Sequence, residues 1–316
     1  MQQIFGVDIG NSGIRVTELL LASRQLGPML RIDWWPDERE SPQLKTAARR
    51  FRPDDPRWLS ELDGFVKQRE RPLCAAGVVE PARWLISSVR RDALHLLLDY
   101  LDAGTLDAGT LDAGSRLHCT RQVEVVTHRT LPLEVQVDVP QAVGIDRLLA
   151  ALAALEFMEA SFAVVIQAGS AVTVDLIQQS SSQAQAAAGA PPVTQLQSGM
   201  QTLGTFAGGA ILPGVPMMLR LLGKGADQLP QITAAELLGL PELPGKNTEA
   251  AMICGTASAL VGGVSHLVGR YREKFGQSIP VIISGGDGMR LSPYLAAPLI
   301  VRDHLVHRGL MRIAEL

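Results

Sequence analysis

Two stretches of the chain share one pattern of apolar and polar positions. Residues 4–20, IFGVDIGNSGIRVTELL, have the alternation of a strand, a glycine turn and a second strand. Residues 162–177, FAVVIQAGSAVTVDLI, repeat this order around a turn of small residues. Gly169 follows Gly10 by about half of the 316-residue chain. A unit that recurs at half-length predicts two domains of like topology that face one another.

The remaining pattern alternates between short apolar runs and segments with helical spacing. The runs predict strands at RWLISSV (83–89), VEVVTH (123–128), LEVQVDV (133–139) and IPVIISG (279–285). Helical spacing predicts helices at 58–68, 91–101, 144–158 and 247–276, and a last strand and helix follow residue 298. GGAILPG reads as a glycine turn that leads through Pro216 into a further helix. The mixture predicts an α/β fold.

Three polar or repetitive stretches interrupt this pattern. Residues 33–72 are rich in Pro, Arg and Asp, and residues 178–201 consist mainly of Gln, Ser, Ala and Pro, which predicts a mobile loop. Residues 101–115, LDAGTLDAGTLDAGS, repeat a five-residue unit. A calcium-binding repeat would need more carboxylates, so we interpret these residues as a duplication within a surface loop.

Composition excludes several classes of protein. Hydrophobic residues make up 47% of the chain and charged residues 19%, which excludes global disorder. A net charge of −3 gives no electrostatic basis for nucleic acid or an anionic membrane as a partner. Three scattered cysteines predict neither a zinc ribbon nor a disulfide framework. With no signal peptide evident and no apolar run near ~18 residues, we expect a cytoplasmic protein.

Both hairpins have the residues that a phosphate site needs. Glycine allows the backbone to approach a phosphate, and successive N–H groups can donate to its oxygens. Asp8 precedes the first turn, where a carboxylate can hold Mg²⁺ directly or through water. Gln167 occupies the corresponding position in the second hairpin. An ordinary hairpin also favours Gly and Asn in its turn, so the pairing of two hairpins carries the prediction.

Further candidates lie outside the hairpins. Asp146 and Arg147 open an apolar helix, where a carboxylate also has the simple role of interacting with the helix dipole. Together they have the chemistry to orient a hydroxyl and hold an acidic substrate. The glycine pairs at 208–209 and 285–286 are either ordinary turns or places where a purine or ribose lies against the backbone.

At this point the chain resembles the type III pantothenate kinases, of the acetate and sugar kinase, heat-shock protein and actin superfamily. Eight motifs in order carry the resemblance: DIGNSGIRV (8–16), ISSV (86–89), VGIDR (143–147), GSAVTVD (169–175), GGAILPG (208–214), KNTEAAMICG (246–255), ISGG (283–286) and LVHRGL (305–310). The resemblance implies two ribonuclease H-like (actin-like) domains, at 1–140 and 141–316, each with a mixed sheet flanked by helices and with an ATP cleft between them.

The resemblance also implies ATP-dependent phosphorylation of pantothenate at its primary hydroxyl, the first step of coenzyme A biosynthesis. It implies that Asp146 is the general base and Asp8 the Mg²⁺-associated aspartate. The remaining implied residues form two sets. ATP and its phosphates are bound by Gly10, Asn11, Ser12, Gly169, Ser170, Ala171, Gly208, Gly209, Gly285 and Gly286, and pantothenate is bound by Gly144, Arg147 and Thr248.

Gln167 departs from the family pattern. Relatives usually have Asp there, associated with a monovalent cation such as K⁺ or NH₄⁺, whereas Gln keeps a carbonyl oxygen but no charge. We therefore expect weak or absent potassium dependence. The family is homodimeric, so a homodimer is implied as well.

Two other functions stay open at this stage. A non-catalytic, regulatory relative that binds nucleotide or pantothenate is one alternative, and Gln167 and the expanded loops motivate it. A sugar kinase of the same superfamily is the other, and the GIDR sequence at 144–147 disfavours it.

Overall fold

The computed structural model describes residues 2–34, 50–69, 80–103, 121–180, 202–232 and 241–316. The chain divides into two compact units. Unit 1 comprises residues 1–130, 144–146 and 306–316, and unit 2 comprises 131–143 and 147–305. The domain boundary that the resemblance implies at residue 140 stays a prediction.

Among the residues that the structure describes, each unit contains one six-stranded sheet with helices. The strands are β1 (Ile4–Gly10), β2 (Gly13–Leu20), β3 (Gln25–Trp34), β4 (Arg50–Phe51), β5 (Arg83–Ser88), β6 (Gln122–Val125), β7 (Leu133–Val135), β8 (Phe162–Ala168), β9 (Ala171–Gln179), β10 (Gly204–Pro213), β11 (Val281–Ser284) and β12 (Leu299–Val301). Among the described residues the α-helices are α1 (Leu59–Arg69), α2 (Arg91–Ala103), α3 (Ile145–Ala154), α4 (Val215–Gly225), α5 (Thr248–Phe275), α6 (Gly288–Leu291) and α7 (Leu305–Ala314).

Five strands of each sheet have the same topology, and the sixth differs in chain order, because β4 follows β3 whereas β7 precedes β8. In unit 1 the order is β4-β3-β2-β1-β5-β6, with β1, β2 and β3 antiparallel and β5 and β6 parallel to β1. In unit 2 the order is β12-β11-β8-β9-β10-β7, with β8, β9 and β10 antiparallel and β11 and β12 parallel to β8. The prediction of two ribonuclease H-like domains with mixed sheets is therefore confirmed.

The unit 1 core forms around the β1–β2 hairpin and β5. Phe5 on β1 stacks on Trp84 of β5 with ring centroids 4.6 Å apart, and both side chains are fully buried. Trp34 and Trp58 contact each other edge-on at 5.8 Å. Large aromatic rings supply much of the buried apolar area in a small sheet domain. The first pair therefore holds β5 against β1, and the second holds the turn before α1 against β3.

The unit 2 core lies between its sheet and the long helix α5. Leu260, Val264 and Val268 are buried against β8, β9 and β11, together with Leu219 of α4. The side chain of Asn247 caps α5 by accepting a hydrogen bond from the amide of Ala250 at 2.8 Å, as a helix N-terminus requires.

The expectation that no apolar segment reaches the length of a membrane span is wrong for one helix. Helix α5 has 28 residues, and an 18-residue window within it has a mean hydropathy of 1.5, so length and composition alone would allow it to cross a bilayer. The core helix of a soluble protein passes the same test, and part of α5 is buried in unit 2. By itself, its apolar character is weak evidence for a membrane span.

Two local predictions also need correction. LEVQVDV forms a strand only over Leu133–Val135. The glycine turn predicted at 208–209 instead lies inside strand β10, where the register with β9 shifts between Phe206 and Gly209. A β-bulge explains Gly208, whose φ of +91° is an unusual backbone conformation within a continuous strand. Most of the repeat at 101–115 and of the stretch at 178–201 lies outside the described residues.

Replacing Gly13 with alanine tests how closely the hairpin packs on β3. A Cβ at residue 13 would overlap the carbonyl oxygen of Ile32 and lie 3.1 Å from the Cα of Asp33. Because backbone atoms cannot move aside cheaply, we expect Gly13→Ala to lower the free energy of unfolding by about 1–3 kcal/mol in urea titrations.

Gly64→Ala is the matched control in the same unit. Gly64 is exposed on α1 and has open space around its Cα, so alanine should raise stability by about 0.5–1 kcal/mol. Equal effects of the two substitutions would contradict the packing argument.

Candidate active site

Asp8 is a buried carboxylate near the end of β1. Its side chain lies between neighbours in register on both sides, Arg15 of β2 and Ser87 of β5. The hydroxyl of Ser87 donates to its Oδ1 at 3.5 Å. Burial raises the pKa of Asp8 to about 7; the charge of Asp146 adds to this rise, whereas Arg15 and the Ser87 hydrogen bond oppose it. The residue thus has a strong preference for a compensating cation or a proton.

Asp146 lies in the first turn of α3, within unit 1 like Asp8. It is close enough for its charge to raise the pKa of Asp8. Gly144 precedes it, and a Cβ at residue 144 would overlap Oδ1 of Asp146. Glycine at this position therefore leaves the space that the carboxylate occupies. The structure brings three predicted site residues together in unit 1.

The turn of the first hairpin is held by β3. The amide of Trp34 donates to the carbonyl of Ser12 at 3.0 Å, and its indole N–H donates to the carbonyl of Gly10 at 2.9 Å. Asn11 and Ser12 are exposed, whereas Gly10 is half-buried. The turn is thus fixed from behind, and its outer side is open to a ligand.

The turn of the second hairpin has equivalent support from the segment after β10. The amide of Gly169 donates to the carbonyl of Ala171 at 3.1 Å, and the amide of Gly214 donates to the carbonyl of Ser170 at 2.9 Å. A Cβ at Gly214 would lie 2.5 Å from the carbonyl oxygen of Gly169, which explains the glycine. Ser170 is exposed, as Asn11 and Ser12 are in the first hairpin.

Gln167 occupies the position in β8 that Asp8 occupies in β1. Its neighbours in register are Thr173 of β9 and Ser284 of β11, so oxygen-bearing side chains flank it on both sides. Within the described residues, the buried hydroxyl oxygen of Thr173 has no hydrogen-bond partner. Gln167 thus has the same strand pairing as Asp8, antiparallel on one side and parallel on the other, but it has no carboxylate.

The two glycine pairs have different surroundings. Gly285 has a φ of +99°, and a Cβ there would overlap the carbonyl of Ala168, so the turn after β11 packs against the second hairpin. Gly286 has open space and is exposed.

The glycine pair of the β10 bulge lies against β9 and α5. Gly208 has a φ of +91°, and it lines a pocket of about 300 Å³ together with Gly209 and Tyr271. A Cβ at residue 209 would overlap Oδ1 of Asp175 and lie 2.5 Å from the carbonyl oxygen of Val174. The closeness of Asp175 thus gives Gly209 a reason that does not involve a nucleotide.

Arg147 forms an ion pair that sequence reasoning missed. Its Nη2 lies 2.5 Å from Oδ1 of Asp175, and its Nε donates to Oδ2 at 3.2 Å. Asp175 is only 1% exposed. An acidic residue inside the otherwise apolar run VDLI was the available signal, because a buried carboxylate requires a partner.

Thr248 is the first residue of α5. It is exposed, and the capping hydrogen bond comes from Asn247. With Arg147, Gln167 and the second hairpin, it belongs to unit 2.

Comparisons with known proteins identify the family. The family model described as type III pantothenate kinase matches residues 105–187 and 199–270. A type III pantothenate kinase of Rhodopirellula baltica is 28% identical over 316 residues, covering 97% of this chain and 96% of its own length. The chain belongs to the type III pantothenate kinase family. A second family member, from Chromobacterium violaceum, is 33% identical over 54% of this chain and 61% of its own length.

Solved structures resemble the chain more distantly. A putative Baf family transcriptional activator from Campylobacter jejuni is 17% identical, covers 98% of this chain and 97% of its own, and has a TM-score of 0.47. A putative 2-dehydro-3-deoxygalactonokinase from Sinorhizobium meliloti is 12% identical, covers 99% and 98%, and also has a TM-score of 0.47. Neither TM-score reaches 0.5, so membership of the type III pantothenate kinase family depends on the sequence matches.

Asp8→Asn tests the electrostatics of the buried carboxylate. The folded-state pKa of about 7 lies above the ordinary value of 3.8, so Asp8 favours folding at low pH and this contribution is lost as the pH rises through 7. Without divalent cations, we expect Asp8→Asn to be more stable than the wild type at pH 8, by on the order of 2–4 kcal/mol in urea unfolding.

At pH 5 the difference in free energy of unfolding between Asp8→Asn and the wild type should be smaller by about 2 kcal/mol or more, because the wild-type carboxyl is mostly protonated in the folded state. Asp99→Asn, at an exposed position on α2, is the control and should show no such dependence. A stability difference that does not change with pH would contradict the burial of charge at Asp8.

Proposed function

We propose that this chain transfers the γ-phosphoryl group of ATP to the primary hydroxyl of pantothenate and forms 4'-phosphopantothenate. The observation that carries the proposal is that Asp8 and Asp146 lie in the same unit, close enough for the charge of Asp146 to raise the pKa of Asp8. Phosphoryl transfer requires one carboxylate to hold a cation beside the phosphates and another to orient the attacking hydroxyl. Membership of the type III pantothenate kinase family gives the substrate.

Asp146 is the group that we assign to the pantothenate hydroxyl. Its position in the first turn of α3 leaves the carboxylate partly accessible, and Gly144 leaves room for it. A positioned carboxylate accepts the hydroxyl proton as the oxygen attacks phosphorus. Gly144, Arg147 and Thr248 are the proposed pantothenate contacts.

Asp8 is the residue that we assign to Mg²⁺. The donor set fits this ion, because magnesium commonly takes one or two carboxylates together with phosphate oxygens. Among the described residues, no group of three or more His, Cys, Asp or Glu side chains could form an all-protein metal cage. When bound, the ion would neutralise charge on the transferring phosphate. The raised pKa of Asp8 is what a carboxylate short of positive charge should show.

The two hairpin turns are the proposed cradle for the phosphates. Gly10, Asn11 and Ser12 form the first, and Gly169, Ser170 and Ala171 form the second. Hydrogen bonds from neighbouring segments of the same unit support each turn from one side. Gly285 and Gly286 are the proposed nucleotide contacts after β11. Gly208 and Gly209 belong to the same proposal, although Asp175 already explains Gly209.

Three further properties belong to this proposal. They are a homodimer, a cytoplasmic location and small-molecule partners without nucleic acid or membrane. Family membership supports the first two and the small-molecule partners, and the net charge of −3 supports the expectation about nucleic acid and membrane. The ATP cleft expected between the two domains also stays a prediction. The non-catalytic alternative has no specific observation in its favour.

Asp146→Asn tests the assignment of the base. Asparagine keeps the shape but cannot accept the proton, so we expect kcat for pantothenate phosphorylation to fall by about 10²–10⁴-fold. ATP binding, measured by calorimetry, should remain.

Asp138→Asn, at an exposed position shortly before α3, is the control and should keep full turnover. An active Asp146→Asn enzyme would refute the base assignment. A wild-type protein that binds ATP or pantothenate without turnover would instead support the non-catalytic alternative.

The cation requirement gives a separate test at Gln167. With a carbonyl oxygen but no charge at this position, the wild-type rate should change little when K⁺ replaces choline at constant ionic strength. Gln167→Asp restores a carboxylate beside Ser284 and Thr173, so we expect activation by K⁺ to appear in this variant. Strong potassium activation of the wild type would contradict the interpretation of Gln167.

A further inference from the structure

Asp175 is a fully buried acid in the centre of the unit 2 sheet. It lies on β9 between Val174 and Leu176, both of which belong to the unit 2 core. An ionised carboxylate is costly to bury unless a cation and hydrogen bonds compensate it. A chain that retains Asp at this position must therefore provide a partner.

Arg147 is that partner, and the contact is bidentate. Two guanidinium nitrogens reach the two carboxylate oxygens at 2.5 and 3.2 Å. The same guanidinium lies over the ring of Phe206 on β10 at 5.3 Å, which limits its movement on another side. Planar, two-point contacts fix the orientation of arginine as well as its position.

A glycine on the neighbouring strand leaves space for the ion pair. Gly209 is the register partner of Asp175 on β10, and any side chain there would collide with the carboxylate. Three elements, α3, β9 and β10, therefore contribute to one ion pair. Arg147 lies in the first turn of α3, directly after Asp146.

We propose that Asp175 is a positioning residue: by holding Arg147, it fixes the first turn of α3 and so orients Asp146 for phosphoryl transfer. This inference rests on the proposed kinase function. Asp175 contacts Arg147 and is buried in the sheet, so it acts through Arg147.

A purely stabilising role explains the pair less well. Replacing a buried ion pair by well-packed apolar residues is often neutral or stabilising, so stability alone gives little reason to keep it. A two-point contact next to a reacting group has another effect, because small displacements of such a group cost large factors in rate.

The first experiment measures Asp175→Asn, which keeps the volume and removes the charge. We expect kcat/KM for pantothenate to fall by about tenfold or more, while the Kd for ATP stays unchanged. Val264→Ala, in the unit 2 core, is the control for lost stability and should keep wild-type kcat/KM at a temperature where both variants are folded. Unchanged kcat/KM in Asp175→Asn would overturn the inference.

A double variant keeps the test valid if Asp175→Asn folds poorly. Arg147→Met combined with Asp175→Leu removes the pair and leaves no buried charge. Its thermal stability should match the wild type or exceed it, and its kcat at saturating pantothenate should stay low. Because Arg147 is also a proposed pantothenate contact, a raised KM with wild-type kcat would count against the positioning role. Recovery of both stability and kcat would show that the pair is only structural.

Hydrogen exchange separates this inference from the proposed function. The amides of Leu149 and Ala150 bond back to the carbonyls of Ile145 and Asp146 in an α-helix, so they report on the first turn of α3. In Asp175→Asn without substrate, these two amides should exchange faster, whereas amides in the middle of α5 should not change. If the wild type proves inactive, the kinase proposal fails by itself. Unchanged protection at Leu149 and Ala150 would overturn the positioning role whatever the activity.

Discussion

Burial of carboxylates within β-sheets is the constraint on which the candidate site depends. A carboxylate removed from water needs a positive partner, or it takes up a proton. Asp175 has a bidentate arginine from α3, which satisfies it within unit 2. At Asp8 burial outweighs the charge of Arg15, and the pKa rises to about 7. The first arrangement is complete without a ligand, whereas the second favours a cation.

The duplicated topology places different chemistry at equivalent positions. Asp8 lies between Arg15 and Ser87, and Gln167 lies between Thr173 and Ser284, with the same strand directions in both sheets. A neutral amide needs no counterion, so the side chain of Gln167 has no need of a cation, in contrast to that of Asp8. The two hairpins thus have the same backbone arrangement, but only the first has a carboxylate before its turn.

The glycines show how much of a motif is explained by packing. Gly13, Gly209 and Gly285 all lie where a Cβ would overlap a neighbouring atom, and the last also has positive φ. Gly10 and Gly169 have no such contact closer than 3.6 Å, so their surroundings leave the turn accessible. Glycines of the second kind are the better candidates for ligand contacts, because neighbouring packing does not account for them.

The sequence by itself determined the two hairpins, their repetition and the family, because alternation of apolar residues and glycine turns are local signals. It also indicated Asp146 at the start of α3. Only the tertiary structure decided that Arg147 contacts Asp175, 28 residues further along the chain, and that Gly209 makes room for it. Only the tertiary structure placed the glycine pair of β10 in a bulge rather than a turn. These features depend on strand register and on burial, and neither can be read from neighbouring residues, because each is set by elements that are distant in sequence.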